Sequence, residues 1–190
     1  MNTYPQKLIL GSGSPRRKEI LSLADIPFEV KVSQVEESFD PKTPVEKIPE
    51  LLAVRKAHAV QEKFKISNAT ILTADTMVLL GQEAMGKPHD TDEAISILLK
   101  LSGKTHRVLS GVCILENQVV QSFTETTFVT FSTISRSEIA YYVEKYRPFD
   151  KAGAYAIQEW IGVKYIQKIE GCYYNVMGLP LSRIVREMRW

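Results

Sequence analysis

The sequence reads as a protein of α/β or α+β class built on a mixed sheet, and three observations carry that expectation. An almost unbroken apolar run, Thr70 to Leu80, has the character of a strand buried on both faces. Two long β-rich runs, Thr105 to Leu115 and Val119 to Phe131, are separated by Glu116-Asn117-Gln118, the spacing of an antiparallel hairpin. Around them lie segments of helical periodicity, opened by capping residues and closed by glycine or proline. Strands alternate with helices in one part of the chain and with turns in another, so the sheet is expected to be mixed.

The bulk properties narrow the class further. A chain of 190 residues buries one good core, with room for elongation into two lobes. Apolar residues make up 44% and charged residues 24%, as in an ordinary globular protein. The net charge is +2 and the basic residues are scattered, so no stripe for nucleic acid is expected. Cys113 and Cys172 have no CxxC spacing and no nearby histidine, which suits a reduced, cytoplasmic chain. No signal-peptide pattern is evident, and no stretch approaches the ~20 apolar residues of a membrane span. Repeats and low-complexity segments are absent.

Taken in order, Leu8-Ile9-Leu10 reads as a strand that runs into the small-residue turn Gly11-Ser12-Gly13-Ser14 and then a helix. Ser14 suits the N-cap, and Pro15 suits the first helical position, where a missing N–H costs nothing. Ile20, Leu21, Leu23 and Ala24 supply the expected buried stripe. Arg16 and Arg17 fall in the first turn, where the helix dipole disfavours cations. Broken local rules of this kind gather at functional sites. The turn's N–H groups, Ser12, Ser14 and the two guanidinium groups together compose an anion site fit for a polyphosphate. The competing reading is a capped surface helix with two solvated arginines. The turn is neither a dinucleotide fingerprint, because Arg16 stands where the third glycine or alanine belongs, nor a P-loop, because no Gly-Lys-Ser/Thr follows.

Phe28 to Ser33 alternates as a strand and leads to Glu36-Glu37, an acidic pair that on its own suits a solvated loop. Thr43-Pro44-Val45-Glu46 opens a helix, which Pro49 kinks or restarts. Lys56 falls one turn after Leu52 and one before Val60, so it shares their inward face; it is either a snorkelling lysine or a cation aimed at a ligand. Asp75 stands in the middle of the apolar strand, where a carboxylate is costly unless paired, hydrogen-bonded or on a metal. Glu83 to Gly86 returns as a short strand, with Lys87-Pro88 at its lip. Asp90 to Glu93 caps a helix with Ala94, Ile95, Leu98 and Leu99 inward and Gly103 at its end. Ser135 to Glu138 caps another, which Pro148 terminates. A small-residue loop, Asp150 to Gln158, precedes a strand-like Val163 to Ile169. The last amphipathic helix turns Leu181, Ile184, Val185 and Met188 inward.

Five separated motifs then stand in one order: Ser12-Gly13-Ser14-Pro15-Arg16-Arg17, Ala74-Asp75-Thr76, Gly86-Lys87-Pro88, Asp150-Lys151-Ala152-Gly153-Ala154-Tyr155 and Asn175-Val176-Met177-Gly178-Leu179-Pro180. With them the chain resembles the Maf family, from Leu8 to the final helix. It departs at Gly11, where many members carry alanine. The resemblance implies a single domain over residues 1–190, with a long mixed sheet flanked by helices and a central cleft between two lobes, similar to the inosine-triphosphate pyrophosphatases. It implies a nucleoside-triphosphate pyrophosphatase with a house-cleaning role, with a link to septum formation. Arg16, Arg17, Thr76 and Gln158 resemble the branch acting on dTTP and UTP, with modified pyrimidine nucleotides as further targets, rather than the branch acting on 7-methyl-GTP.

By the same match Asp75 is the catalytic base, and Arg16, Thr76 and Gln158 set substrate choice. Glu37, Lys56 and Lys87 complete the phosphate and metal site, with Glu37 and Asp75 holding Mg²⁺ or Mn²⁺. The chemistry agrees, because attack of water on a phosphorus needs a base and cations for the leaving group. The implied partner is a small nucleotide, with no nucleic acid and no membrane, and the assembly is open to a homodimer. Two other classes remain: a cell-division regulator acting by binding, and a pyrophosphatase for other non-standard nucleotides.

Overall fold

The run Thr70–Leu80 forms a single strand of 11 residues in the computed structural model, which describes residues 7–36 and 38–188. It is the third of seven strands: β1 (Leu8–Leu10), β2 (Glu29–Val30), β3 (Thr70–Leu80), β4 (Glu83–Met85), β5 (Thr105–Glu116), β6 (Val119–Phe131) and β7 (Ile166–Glu170). They form one sheet in the order β2-β1-β3-β5-β6-β7, with β4 paired to β3 off this path. β1 runs parallel to both neighbours, setting Leu8, Ile9 and Leu10 opposite Thr70, Ile71 and Leu72. The β3–β4 and β6–β7 pairs are antiparallel. The sheet is therefore mixed, as expected. Its parallel part explains why every residue of β1 is buried.

Seven α-helices accompany it among the described residues: α1 (Pro15–Leu23), α2 (Ile48–Phe64), α3 (Thr91–Leu101), α4 (Arg136–Tyr146), α5 (Trp160–Tyr165), α6 (Tyr173–Met177) and α7 (Leu181–Met188). Pro49 restarts a helix, since Val45–Lys47 is a 3-10 turn and α2 follows with the proline in its first turn. Asp90 caps α3 by accepting from the Glu93 N–H, and Ser135 with Glu138 forms a complete capping box on α4.

Four expectations are corrected. The strand over Phe28 to Ser33 contracts to Glu29–Val30. The first half of Val163 to Ile169 is helical, because Val163 stands 81% exposed and finds no strand partner before Ile166. Leu23 is 66% exposed because α1 ends there, and Leu99 lies on the outer edge of its helix. The short α6 had no periodicity to announce it.

The described chain divides into two compact units. The first holds the residues up to Asp75, Ser110–Glu125 and those from Gly178 onward; the second holds Thr76–Leu109 and Thr126–Met177. Within the first, Ile9, Ala53, Ala57, Val60, Ile71, Cys113 and Leu115 form a buried cluster that seats α2. Gly111 permits that seating, since a Cβ there would fall 2.0 Å from the Pro49 carbonyl carbon. Within the second, α3 packs on α4. His106, Phe131 and Tyr155 interlock there with ring centroids 5.0–5.4 Å apart.

Candidate active site

In the first unit the site begins where β1 ends. The Gly11 N–H donates to the Leu72 carbonyl across 2.8 Å, which carries the parallel pairing one residue past the strand. A Cβ on residue 11 would lie 2.5 Å from Thr73 Cγ2, so the departure from the family's alanine fits this chain's threonine. Ser12 Oγ then accepts from the Ser14 N–H at 3.3 Å and from Arg17 Nη1 at 3.0 Å. Arg17 Nε donates to the Gly178 carbonyl at 2.9 Å. Arg17 therefore clamps the turn to the segment that precedes α7, besides any part in binding. Ser14 sits at the N-cap of α1 without bonding its side chain to the first turn. The serine side chains of the turn and the positive end of the helix dipole together suit an anion. Arg16 is half-buried beside them.

Two rungs join β3 to α2. Thr73 Oγ1 donates to the Ala53 carbonyl, and Lys56 Nζ lies 2.6 Å from Asp75 Oδ1, with both side chains 17% exposed. Thr73 and Asp75 share one face of the strand, and Ala53 and Lys56 share one face of the helix. The strand is fully buried from Thr70 to Ala74 but only half-buried from Asp75 to Met77. The unbroken burial expected there is interrupted from the carboxylate to Met77 and resumes at Val78, so the desolvation Asp75 suffers is partial. Lys56 is thus the inward cation, and its partner is the carboxylate singled out in the sequence. Arg55, its neighbour, donates from Nη1 to the carbonyls of Glu36 and Ser38 at 2.7 and 2.5 Å. Glu37, between them, lies outside the described residues.

In the second unit Thr76 opens the contribution of β3 and Lys87 stands exposed after β4. Gln158 is half-buried, and its Oε1 is enclosed with no hydrogen-bond partner among the described residues. A buried acceptor in that state lacks a donor. The loop leading to it is tied down: the Gly153 N–H donates to the Gly86 carbonyl at 3.1 Å, beside Lys87. Tyr155 Oη and His106 Nε2 share a hydrogen bond of 2.7 Å. Burial pushes the His106 imidazole down to about 4 and the Tyr155 phenol well above its usual value, so both are neutral. His106 and the buried Lys151 had no role in the sequence reading. Their signal is burial, which neither the strand β5 around His106 nor the small-residue loop around Lys151 discloses.

A serine-rich turn bonded to an arginine, and a carboxylate held by an ammonium, are the chemistry expected of a protein that handles phosphate anions. The chain belongs to the Maf family: the model of the Maf-like protein matches residues 7–190. It is similar to the dTTP/UTP pyrophosphatase of Porphyromonas gingivalis (strain ATCC 33277), 46% identical over 99% of this chain and 96% of that one. The protein of the same name from Phocaeicola vulgatus is 46% identical, covering 99% and 97% of the two chains. That from Bacillus mycoides is 47% identical, covering 97% and 95%. Among solved structures, the Staphylococcus aureus Ham1 protein is similar at 15% identity and a TM-score of 0.46, over 66% of this chain and 72% of that one. So distant a likeness adds nothing to the assignment. No helix among the described residues is long and apolar enough to cross a membrane.

Proposed function

We propose that this chain is a nucleoside-triphosphate pyrophosphatase that hydrolyses dTTP and UTP to the monophosphate and pyrophosphate. The observation that carries the reading is the Lys56–Asp75 pair at 2.6 Å, with both side chains 17% exposed, in a chain whose relatives bear that activity in their names. Asp75 takes the proton of a water whose oxygen forms the new bond to the α-phosphorus. The bond from that phosphorus to the bridging oxygen breaks, and its electron pair leaves with pyrophosphate. Lys56 orients the carboxylate through Oδ1. Ser12, Ser14, Arg16 and Arg17 with the α1 N-terminus carry charge on the phosphates, and Lys87 is assigned the same role. Gln158 and Thr76 select the base. The buried Gln158 Oε1 suits the N3–H of uracil or thymine, a donor that cytosine lacks at that position.

The donor chemistry fits a divalent cation. Among the described residues no three His, Cys, Asp or Glu gather as an all-protein cage. Mg²⁺ and Mn²⁺ sites beside phosphates commonly need only one or two carboxylates. Asp75 and Glu37 would hold the ion, which supplies charge neutralisation on the phosphate oxygens. House-cleaning of modified pyrimidine nucleotides in the cytoplasm, by a monomer or a homodimer, is part of the same proposal.

The test is a panel of nucleoside triphosphates incubated with purified protein and Mg²⁺ or Mn²⁺, with the products identified. UMP or dTMP with pyrophosphate is the expected outcome. Orthophosphate as the first product, or equal rates on GTP, overturns the reading.

A further inference from the structure

Lys151 is a lysine buried in the second unit, 8% exposed, that the reaction above does not use. Its Nζ lies 2.7 Å from Asp150 Oδ1 and 3.5 Å from Glu159 Oε1. The other Glu159 oxygen accepts from the Tyr142 hydroxyl. Glu159 is therefore held at both carboxylate oxygens, and it directly follows Gln158. Between the two ends of the segment, Gly153 takes a φ of 75° and approaches Val78 so closely that a Cβ would fall 3.1 Å from its methyl groups. The Gly153 N–H is bonded to Gly86, and Tyr155 to His106. A connection between two helices needs no buried cation. Desolvating one is costly, and it persists where several groups determine its position.

We propose that Lys151 is a positioning residue for base selection: by bridging Asp150 and Glu159 it fixes residues 150–159 in the conformation that presents the Gln158 amide to the pyrimidine edge. The inference rests on the role given to Gln158 above. Discrimination by paired hydrogen bonds requires the amide to be placed within a fraction of an ångström, and a residue that holds the adjoining backbone governs that placement.

The experiment measures kcat/KM for UTP and for CTP on one preparation of each variant, because their ratio is independent of the folded fraction. Lys151→Met keeps the length of the side chain and removes its charge. It is expected to lower the UTP-to-CTP ratio about tenfold, mainly through the KM for UTP. Lys151→Arg keeps the charge and is expected to restore most of the ratio. Glu159→Gln breaks the same bridge from its other end and provides the measurement should Lys151→Met fail to fold; the same loss of ratio is expected. A wild-type ratio in either charge-removing variant, even with both rates depressed, overturns the proposal, because a purely structural brace lowers both substrates alike. A wild-type enzyme that turns over UTP and CTP equally overturns the Gln158 reading and this inference with it. Failure of the wild type to release pyrophosphate overturns the reaction itself.

Discussion

Lys56 Nζ lies 2.6 Å from Asp75 Oδ1, and the contact repeats, one step along both elements, the Thr73–Ala53 bond between the same strand and helix. The pair is thus a consequence of how α2 seats on β3. The seating is set in turn by Gly111 under Pro49 and by the apolar cluster around Ala53 and Ala57. Elements chosen for packing deliver the charged pair to the stretch of the strand that is only half-buried.

Asp75→Asn tests the centre of that arrangement. The amide keeps the size and still bonds Lys56, but it does not take a proton from water. A loss in kcat of about 10²-fold or more is expected, with a melting temperature near that of the wild type, because the site is only partly desolvated. An Asp75→Asn protein that melts early yet turns over normally per folded molecule would sink the catalytic assignment.

Arg16→Ala and Lys87→Ala test the cation clamp. Arg16 is half-buried and Lys87 exposed, so little packing is lost with either. Each is expected to lower kcat/KM for UTP by about 10²-fold, as for other groups that stabilise charge in a transition state, with the urea midpoint unchanged. Wild-type kinetics in both variants would return them to the solvated surface.

Much of this was legible in the residues. The bounds of β3, the β5–β6 hairpin and the caps of α3 and α4 follow from local pattern, and the structure reproduces them nearly to the residue. The failures are tertiary. Val163, Lys164 and Tyr165 have strand-like chemistry. Gly162 lies so close to Ile157 that a Cβ would fall 2.0 Å from its carbonyl oxygen, and the chain coils there instead of extending. The site divides the same way. Asp75 breaks an apolar run and is visible in one dimension, whereas Lys56 was ambiguous until its partner was placed. Lys151 and His106 were invisible as functional candidates because burial, and not residue type, makes them unusual.

Gly11 offers a test of packing beneath the phosphate turn. Gly11→Ala sets a methyl 2.5 Å from Thr73 Cγ2 and is expected to cost about 1–3 kcal/mol. Thr73→Ser removes that methyl while keeping the hydroxyl that bonds Ala53. The double variant should therefore be more stable than the sum of the singles, by about 1 kcal/mol or more in denaturant titrations. Strict additivity would show that the contact relaxes without involving Thr73.

His106 sets the acid side of stability. It is 1% exposed and packed between Phe131 and Tyr155, and burial lowers it from 6.5 to about 4. Below pH 6.5 the unfolded chain binds a proton that the folded chain refuses, so stability falls as pH drops from 6.5 towards 4 and is fully present above that window. A displacement of that size corresponds to roughly 3 kcal/mol across the window. Urea midpoints at pH 7 and pH 4.5 should differ accordingly, and His106→Asn should flatten the difference while lowering both values, because Tyr155 loses its partner. If the variant is too unstable to measure, the wild-type imidazole resonance of His106 decides the matter, since it should not titrate between pH 7 and 5.5. An ordinary titration near 6.5 would show that the ring is open to water and that the Tyr155 contact does not hold it in the core.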